Sequence, residues 1–338
     1  MKTNIKQISE ITGYSPATIS NALNRKKGVN KDTAEEIFKV ARELGYVSED
    51  NITKIKFVMY KRNGLIIDDT MFFPMMLDGF EKECRAAGYE MVVCYLDRRS
   101  DDFEDQLKWI LNDSSSAVVL LGTELMEDDV ELFRGAKCPF MMLDYWCEDM
   151  RVNGVLINNS DSSRMAVDYL VSKGHRKIGY IRGDFRIKAF RSRSAGYQIA
   201  LKKHNISLEE KYIITLRTTM DGAHADMLNY LSRNPELATA YFVDNDMIAL
   251  GAMKALQERG YDIPGDVSII GFDDLPFSAI CSPGLTSIKV PKQEMGKIAV
   301  RKMVEIIKGE AQAVTKTQVC TEFVERGSVK MMAKEERF

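Results

Sequence analysis

The sequence predicts two fold classes in one chain: an all-α helix-turn-helix head, then an α/β body of two lobes, each a doubly wound parallel sheet. Three observations predict this. Residues 5–46 hold three short amphipathic helical patterns and a tight turn, with no strand-like run among them. From Ile55 onward, near-continuous apolar runs alternate with amphipathic stretches, the pattern of parallel strands covered on both faces. And 338 residues exceed one ordinary domain of about 100–200 residues.

In the head, Ile8 and Ile11 are three apart and share a helix face. Gly13 can take the positive φ of a sharp turn. Ser15 is placed to cap the next helix, and Pro16 suits its first position, where an amide would be unpaired anyway. Ile19, Ala22 and Leu23 then give an i, i+3, i+4 apolar stripe. A third helix runs from about Lys31 to Leu44, between Asn30 as cap and Gly45 as stop. Such a motif lays its second helix in the DNA major groove. Charge agrees. Up to Lys31 there are six basic residues (Lys2, Lys6, Arg25, Lys26, Lys27, Lys31) against one acidic, Glu10, although the whole chain carries −2. A charge cluster alone is usually a solvated face; with the helix-turn-helix pattern it reads as a nucleic-acid footprint.

In the body, strand runs begin at Ile55–Tyr60, Tyr89–Leu96, Ala117–Gly122 and Pro139–Asp144, with helices at Pro74–Ala87, Asp102–Leu111 and near Asp128–Arg134. A second series has strands at Gly154–Asn159, Lys177–Gly183, Tyr212–Leu216, Thr239–Asp244 and Val267–Asp273. Its helices run to Lys173, then Arg193–His204, Gly222–Arg233 and Met247–Arg259. Ligands of such folds bind at the carboxyl ends of the strands, here between two lobes.

Other classes fit poorly. No apolar run approaches membrane-spanning length and the N-terminus has no signal core, so a cytoplasmic protein is expected rather than a secreted carrier. The six cysteines are scattered without a Cys-x-x-Cys pair, which predicts free thiols and neither disulfides nor zinc. There is no Gly-rich phosphate loop, no G-x-G-x-x-G after a strand and no G-x-S-x-G elbow. His175, His204 and His224 lack metal-ligand spacing. Asp244–Asp246 resembles a metal box, but helix capping and sugar binding explain it without a metal. We therefore expect no catalytic residue, metal or cofactor.

The ordered motifs SPATISNALN (Ser15–Asn24), GV (Gly28–Val29), LGY (Leu44–Tyr46), GHRKIGYIRG (Gly174–Gly183), RSAGY (Arg193–Tyr197), DNDMIALGAMKAL (Asp244–Leu256), IPGDVSIIGFDD (Ile263–Asp274) and LTSI (Leu285–Ile288) span nearly the whole chain. In order and spacing the chain resembles the LacI/GalR (lactose- and galactose-repressor) family of transcriptional regulators. The resemblance implies a periplasmic-binding-protein-like (type I) effector domain, a homodimer and a palindromic operator. It divides the chain into a DNA-binding head at 1–47, a hinge at 48–54 and an effector and dimerisation domain at 55–330. Lobe 1 is expected at about 55–155 and 288–314, lobe 2 at about 156–287 and 315–330. A dimer is the family expectation, and no heptad tail for a tetramer follows Val329.

By that resemblance, Pro16, Ala17 and Asn21 face base edges. Pro16 and Ala17 offer apolar contact, and Asn21 can pair bidentately with adenine. Ser15, Thr18, Ser20 and Asn24 would hold phosphates, with Val29 and Asn30 adding contacts at the next helix. One departure stands out. Relatives follow LGY with a hinge rich in Pro, Ala, Leu and Arg, which drives a leucine into the minor groove. Here Val47–Lys54 reads VSEDNITK, short, acidic at Glu49 and Asp50, and without a Leu or Arg. We expect no hinge helix and little bending of the operator.

The resemblance also places effector contacts at Phe72, Phe73, Tyr145 (with Trp146 as its neighbour), Asn158, Arg193, Asn245 and Asp273, and a further wall at Arg217–Met220. Aromatic rings stack on the C–H faces of sugars, while a carboxylate, an amide and a guanidinium pair with hydroxyls. A carbohydrate effector is expected first, a nucleoside or purine second. Taken singly, Phe72, Phe73 and Tyr145 would be core residues and Asp273 a loop cap; their shared place at strand ends favours binding.

Overall fold

The computed structural model describes residues 4–23, 29–44 and 52–333. They fall into two compact units, one of residues 1–53 with 114–116 and one of residues 54–113 with 117–338.

The head holds α1 (Ile5–Thr12), α2 (Pro16–Leu23) and α3 (Lys31–Glu43). Asn4 opens α1 with a reciprocal cap: the Gln7 amide donates to Asn4 Oδ1 at 3.1 Å and the Asn4 amide to Gln7 Oε1 at 3.0 Å. Gly13 closes it at φ 74°. Ser15 Oγ accepts the Thr18 amide at 3.1 Å, so it caps α2, and Asn30 Oδ1 accepts the Asp32 amide at 3.1 Å at the start of α3. Ile8, Ile19, Ala22, Ile37 and Ala41 form the buried core. Ile11 is a correction to the expected face: it is 59% exposed. Residues three apart sit about 60° apart around a helix. The three-helix core closes around Ile8 and leaves Ile11, in the last turn, outside it.

Lobe 1 begins with β1 (Lys54–Lys61), α4 (Phe72–Ala86), β2 (Glu90–Asp97), α5 (Phe103–Leu111), β3 (Ser116–Leu121), β4 (Phe140–Leu143) and β5 (Asn153–Ile157). The helix expected near Asp128–Arg134 is a 3-10 helix at Glu127–Phe133. Lobe 2 follows with α6 (Asn159–Ser172), β6 (Ile178–Gly183), α7 (Lys188–Lys203), β7 (Ile213–Leu216), α8 (Met220–Leu231), β8 (Ala240–Val243), α9 (Asp246–Glu258), β9 (Ser268–Asp273), α10 (Pro276–Ile280) and β10 (Thr286–Lys289). The chain then supplies α11 (Lys292–Ile307), β11 (Lys316–Val319) and β12 (Glu322–Val324).

The two sheets share one plan. Their strand orders are β2-β1-β3-β4-β5-β11 and β7-β6-β8-β9-β10-β12. The pairs β1–β2, β3–β4, β4–β5 and β5–β11 are parallel, as are β6–β7, β6–β8, β8–β9 and β9–β10. β12 is antiparallel to β10. Strands that feed helices on both faces must be apolar throughout, and β3, β5, β8 and β9 are buried at every residue.

The lobe boundaries differ from those expected. β11 pairs with β5 in the lobe 1 sheet, whereas the sequence places 315 onward in lobe 2. The chain therefore crosses between sheets after Ile157, after Lys289 and after Val319, rather than at 155, 287 and 314. Lys316–Val319 reads KTQV and is largely exposed, so no apolar pattern marks this edge strand or the sheet it joins. The Asn158 amide donates to Val319 O at 3.1 Å, and Ser162 Oγ lies 2.7 Å from Thr321 Oγ1, so two crossings run side by side. All six cysteines are free.

Candidate functional site

Strand ends from both sheets meet at one cavity. From lobe 1 it is lined by Ile66, Thr70, Phe72, Phe73, Thr123, Asp144 and Ile157, and from lobe 2 by Ile187, Ala189, Phe190, Arg193, Asn245 and Asp273. The position follows from topology, since in each sheet the order reverses beside the first strand and leaves a crevice at the carboxyl ends.

Arg193, on α7, is held on several sides. Its Nε donates to Asn159 Oδ1 at 2.8 Å and its Nη1 to the Asp244 carbonyl. Its guanidinium carbon stacks 3.5 Å from the Phe272 ring centroid. Asp244 is itself buried and takes hydrogen bonds from the Tyr180 hydroxyl, the Arg186 guanidinium and the Gly183 amide, the last at 2.9 Å. What Arg193 has left is Nη2, 3.5 Å from Asp273 Oδ1.

Asp273 and Asp144 come from opposite lobes. Both sit in the left-handed region, at φ 109° and 60°, a conformation that L-residues hold only where the surroundings enforce it. Asp144 Oδ2 accepts from Thr123 Oγ1 at 2.7 Å. Asp273 Oδ1 is buried and accepts no hydrogen bond among the described residues. The carbonyl of Asp273 takes a bond from Lys292 Nζ, whose own pKa burial lowers. Burial pushes the Asp144 carboxyl up to about 6, against the Thr123 hydrogen bond and the charge of Arg193. Burial likewise raises Asp273 to about 6, opposed by Arg193 and Lys292 and reinforced by Asp144. Asn245 Oδ1 caps α9 by accepting the Ile248 amide at 3.0 Å, so its amide nitrogen is what it offers a ligand.

The structure thus gathers Phe72, Phe73, Arg193, Asn245 and Asp273 around one cavity. It places two expected contacts elsewhere. Tyr145 packs into the lobe 1 core with Leu120 and Met142, against Gly122, where an added Cβ would lie 2.6 Å from Tyr145 Cβ. One step back along the chain, Asp144 faces the cavity instead. Asn158 caps α6, accepting the Asp161 amide at 3.4 Å, and sits at a lobe crossing; its neighbour Asn159 is the residue that reaches Arg193. Trp146 lies at the lobe boundary, where Lys188 Nζ donates to its carbonyl at 3.0 Å and stands 4.4 Å from its ring. Arg217 pairs with Asp226 at 2.9 Å and does not line the cavity. Thr123, Asp144 and Phe190 were not anticipated, although Thr123 and Asp144 stand just past strand ends, the signal that located the others.

In the head, Ser15, Pro16, Ala17 and Asn21 are exposed, and Ala17 and Asn21 lie on the side of α2 away from the buried Ile19 and Ala22. Thr18 is half-buried, with its Oγ1 2.9 Å from Ser15 Oγ. Ser20 and Val29 are also half-buried, Val29 against the head core, and Asn30 is exposed. Asn24 lies outside the described residues, as do residues 45–51, which carry most of the expected hinge.

A periplasmic binding protein-like domain matches residues 167–329. The chain is 29% identical over 333 residues to the HTH-type transcriptional repressor PurR of Vibrio atlanticus, covering 97% of this chain and 99% of that protein. It is 28% identical over 307 residues to the ribose operon repressor of Haemophilus influenzae, covering 90% and 92%. Among solved structures, the fold is similar to that of the transcriptional regulator CelR in complex with cellobiose, with a TM-score of 0.74 at 24% identity, covering 96% of this chain and 99% of that one. It is also similar to that of the lac repressor dimer bound to operator and the anti-inducer ONPF, with a TM-score of 0.71 at 21% identity, covering 98% and 100%. No helix among the described residues is long and apolar enough to cross a membrane.

Proposed function

We propose, for a chain that belongs to the LacI/GalR family of transcriptional regulators, that it is a cytoplasmic homodimeric repressor of a palindromic operator controlled by a small sugar between its lobes. Its relatives are transcriptional repressors, and the chain is a regulator rather than an enzyme. Ser15, Pro16, Ala17, Thr18, Ser20, Asn21, Asn24, Val29 and Asn30 would form the DNA contacts, with Asn21 reading a base.

One observation carries the effector reading: Asp273 Oδ1, buried and without a hydrogen bond among the described residues, lines a cavity shared with Asp144, Arg193 and Asn245. Arg193 Nη2 stands 3.5 Å from it as an ion-pair partner without a hydrogen bond, and a buried acceptor left short of a donor costs about 1–3 kcal/mol. A ligand hydroxyl supplies that donor, and a polyol supplies several at once. The aromatic walls Phe72, Phe73 and Phe190 match the C–H faces of a ring. The same rings favour a second reading, a purine or nucleoside stacked between them.

Thermal shift of the full chain against monosaccharides, cellobiose, purine bases and nucleosides tests this. The proposal expects saturable stabilisation by a sugar, lost in Asp273→Asn. Stabilisation by a purine base alone would replace it with the second reading.

A further inference from the structure

We propose that Glu124 is a positioning residue that builds, without touching the effector, the arm by which lobe 1 latches onto lobe 2. The side chain is fully buried. Its Oε2 accepts the amides of Arg62, Asn63 and Gly64 at 2.9, 3.1 and 2.8 Å. Its Oε1 accepts those of Ile66 and Ile67 at 2.9 and 3.0 Å. Five backbone donors of one loop thus converge on one carboxylate. Neither side is satisfied without the other: five inward amides need an acceptor, and a buried carboxylate needs donors.

The loop so shaped leads straight to the cleft. Ile66 and Thr70 line the cavity. Between them, Asp69 Oδ2 accepts the Met220 amide at 2.8 Å. Met220 is the first residue of α8, in lobe 2, and amides in a first helical turn have no partner within the helix. Thr219 caps the Gly222 amide at 3.2 Å, and the Met220 amide is left to Asp69. Lobe 1 therefore completes the cap of a lobe 2 helix, and the contact exists only with the lobes together. Glu124 acts two steps away, by fixing where the loop presents Asp69. Thr123, its chain neighbour, lines the cavity and holds Asp144, so one dipeptide serves both the site and the latch. The inference rests on the reading of the cleft as an effector site only in calling this latch part of effector closure.

Hydrogen exchange resolved to single amides, on the full chain without added small molecule, tests it. Glu124→Gln keeps the shape but replaces an acceptor oxygen by an amide group that repels the loop donors. We expect faster exchange at Arg62, Asn63, Gly64, Ile66 and Ile67, and also at Met220, by about tenfold, the worth of one ordinary hydrogen bond. The β8 amides should be unchanged. Asp69→Ala should accelerate Met220 and leave the loop amides as they were. Unchanged exchange at Met220 in either variant overturns the proposal. So does equal acceleration in β8, which would make Glu124 a general support of the fold. If Glu124→Gln does not fold, Glu124→Asp, which withdraws the charge by one methylene, is read by the same criteria. Because no effector is present, a failed sugar screen and a failed latch are separate results.

Discussion

The Arg193 guanidinium lies on the Phe272 ring at 3.5 Å, on the lobe 2 side of the cavity. The stack sets the plane of the guanidinium, Asn159 and the Asp244 carbonyl set its rotation, and Nη2 is left near Asp273. Lysine cannot replace it, having neither a planar face to stack nor a fork to share among three acceptors. Arg193→Lys should weaken sugar binding by about 1.5–3 kcal/mol, the range for a hydrogen bond to a charged group. Operator binding without effector should persist. Calorimetry with the sugar and gel shift with the operator check the two halves.

Asp144 and Asp273 make the cleft pH-sensitive. Both carboxyls are raised from 3.8 to about 6. Between those values the folded protein holds more protons than the unfolded chain, so stability falls as pH rises through that window. The contribution is fully present below about pH 4 and is lost above about pH 6. Asp144→Asn keeps an oxygen for the Thr123 hydroxyl and removes the charge. It should therefore be more stable than the parent at pH 7, with the gain vanishing near pH 4, while its sugar affinity falls. Melting curves across that range decide it; a gain independent of pH would disprove the electrostatic origin.

In the head, Asn21 stands exposed on α2 on the side opposite the buried Ile19 and Ala22. Asn21→Ala should cost about 1–3 kcal/mol at one base pair and relax specificity there alone. Binding of parent and variant to a set of single-substitution operators would show it.

The segment Val47–Lys54 carries Glu49 and Asp50 and no leucine wedge. Acidic side chains at the minor groove would repel phosphate. The operator should therefore bend far less than the roughly 20–90° produced by intercalating wedges. Gel mobility of circularly permuted operator fragments measures the angle.

Much of this architecture was legible because apolar runs and capping residues act locally. Ser15, Gly13 and Asn30 announce the head through chemistry that needs only neighbours in the chain. The alternation of strands and helices likewise announces the sheets, and strand ends locate the cavity. What was not legible depends on partners far along the chain. β11 was misplaced in lobe 2 because Lys316–Val319 reads KTQV, a polar and largely exposed edge strand with no apolar run to mark it or to name β5 as its neighbour. Tyr145 was expected in the cavity, but at a strand end one residue decides the face, and Asp144 takes the inward position. Asn158 yielded to Asn159 by a similar single step, this time at a helix cap. Glu124 has no sequence signature at all, since the amides that define it lie about sixty residues earlier.

The central claim is that a small molecule in the inter-lobe cavity controls DNA binding by the head. Its most direct test is operator affinity of the full chain, on a site selected from random duplex DNA, with and without the saturating sugar. The account predicts a change of about 5–150-fold, the usual range of allosteric coupling, absent in Arg193→Lys at the same sugar concentration. Saturation of the cavity by a sugar that leaves operator affinity unchanged would contradict it.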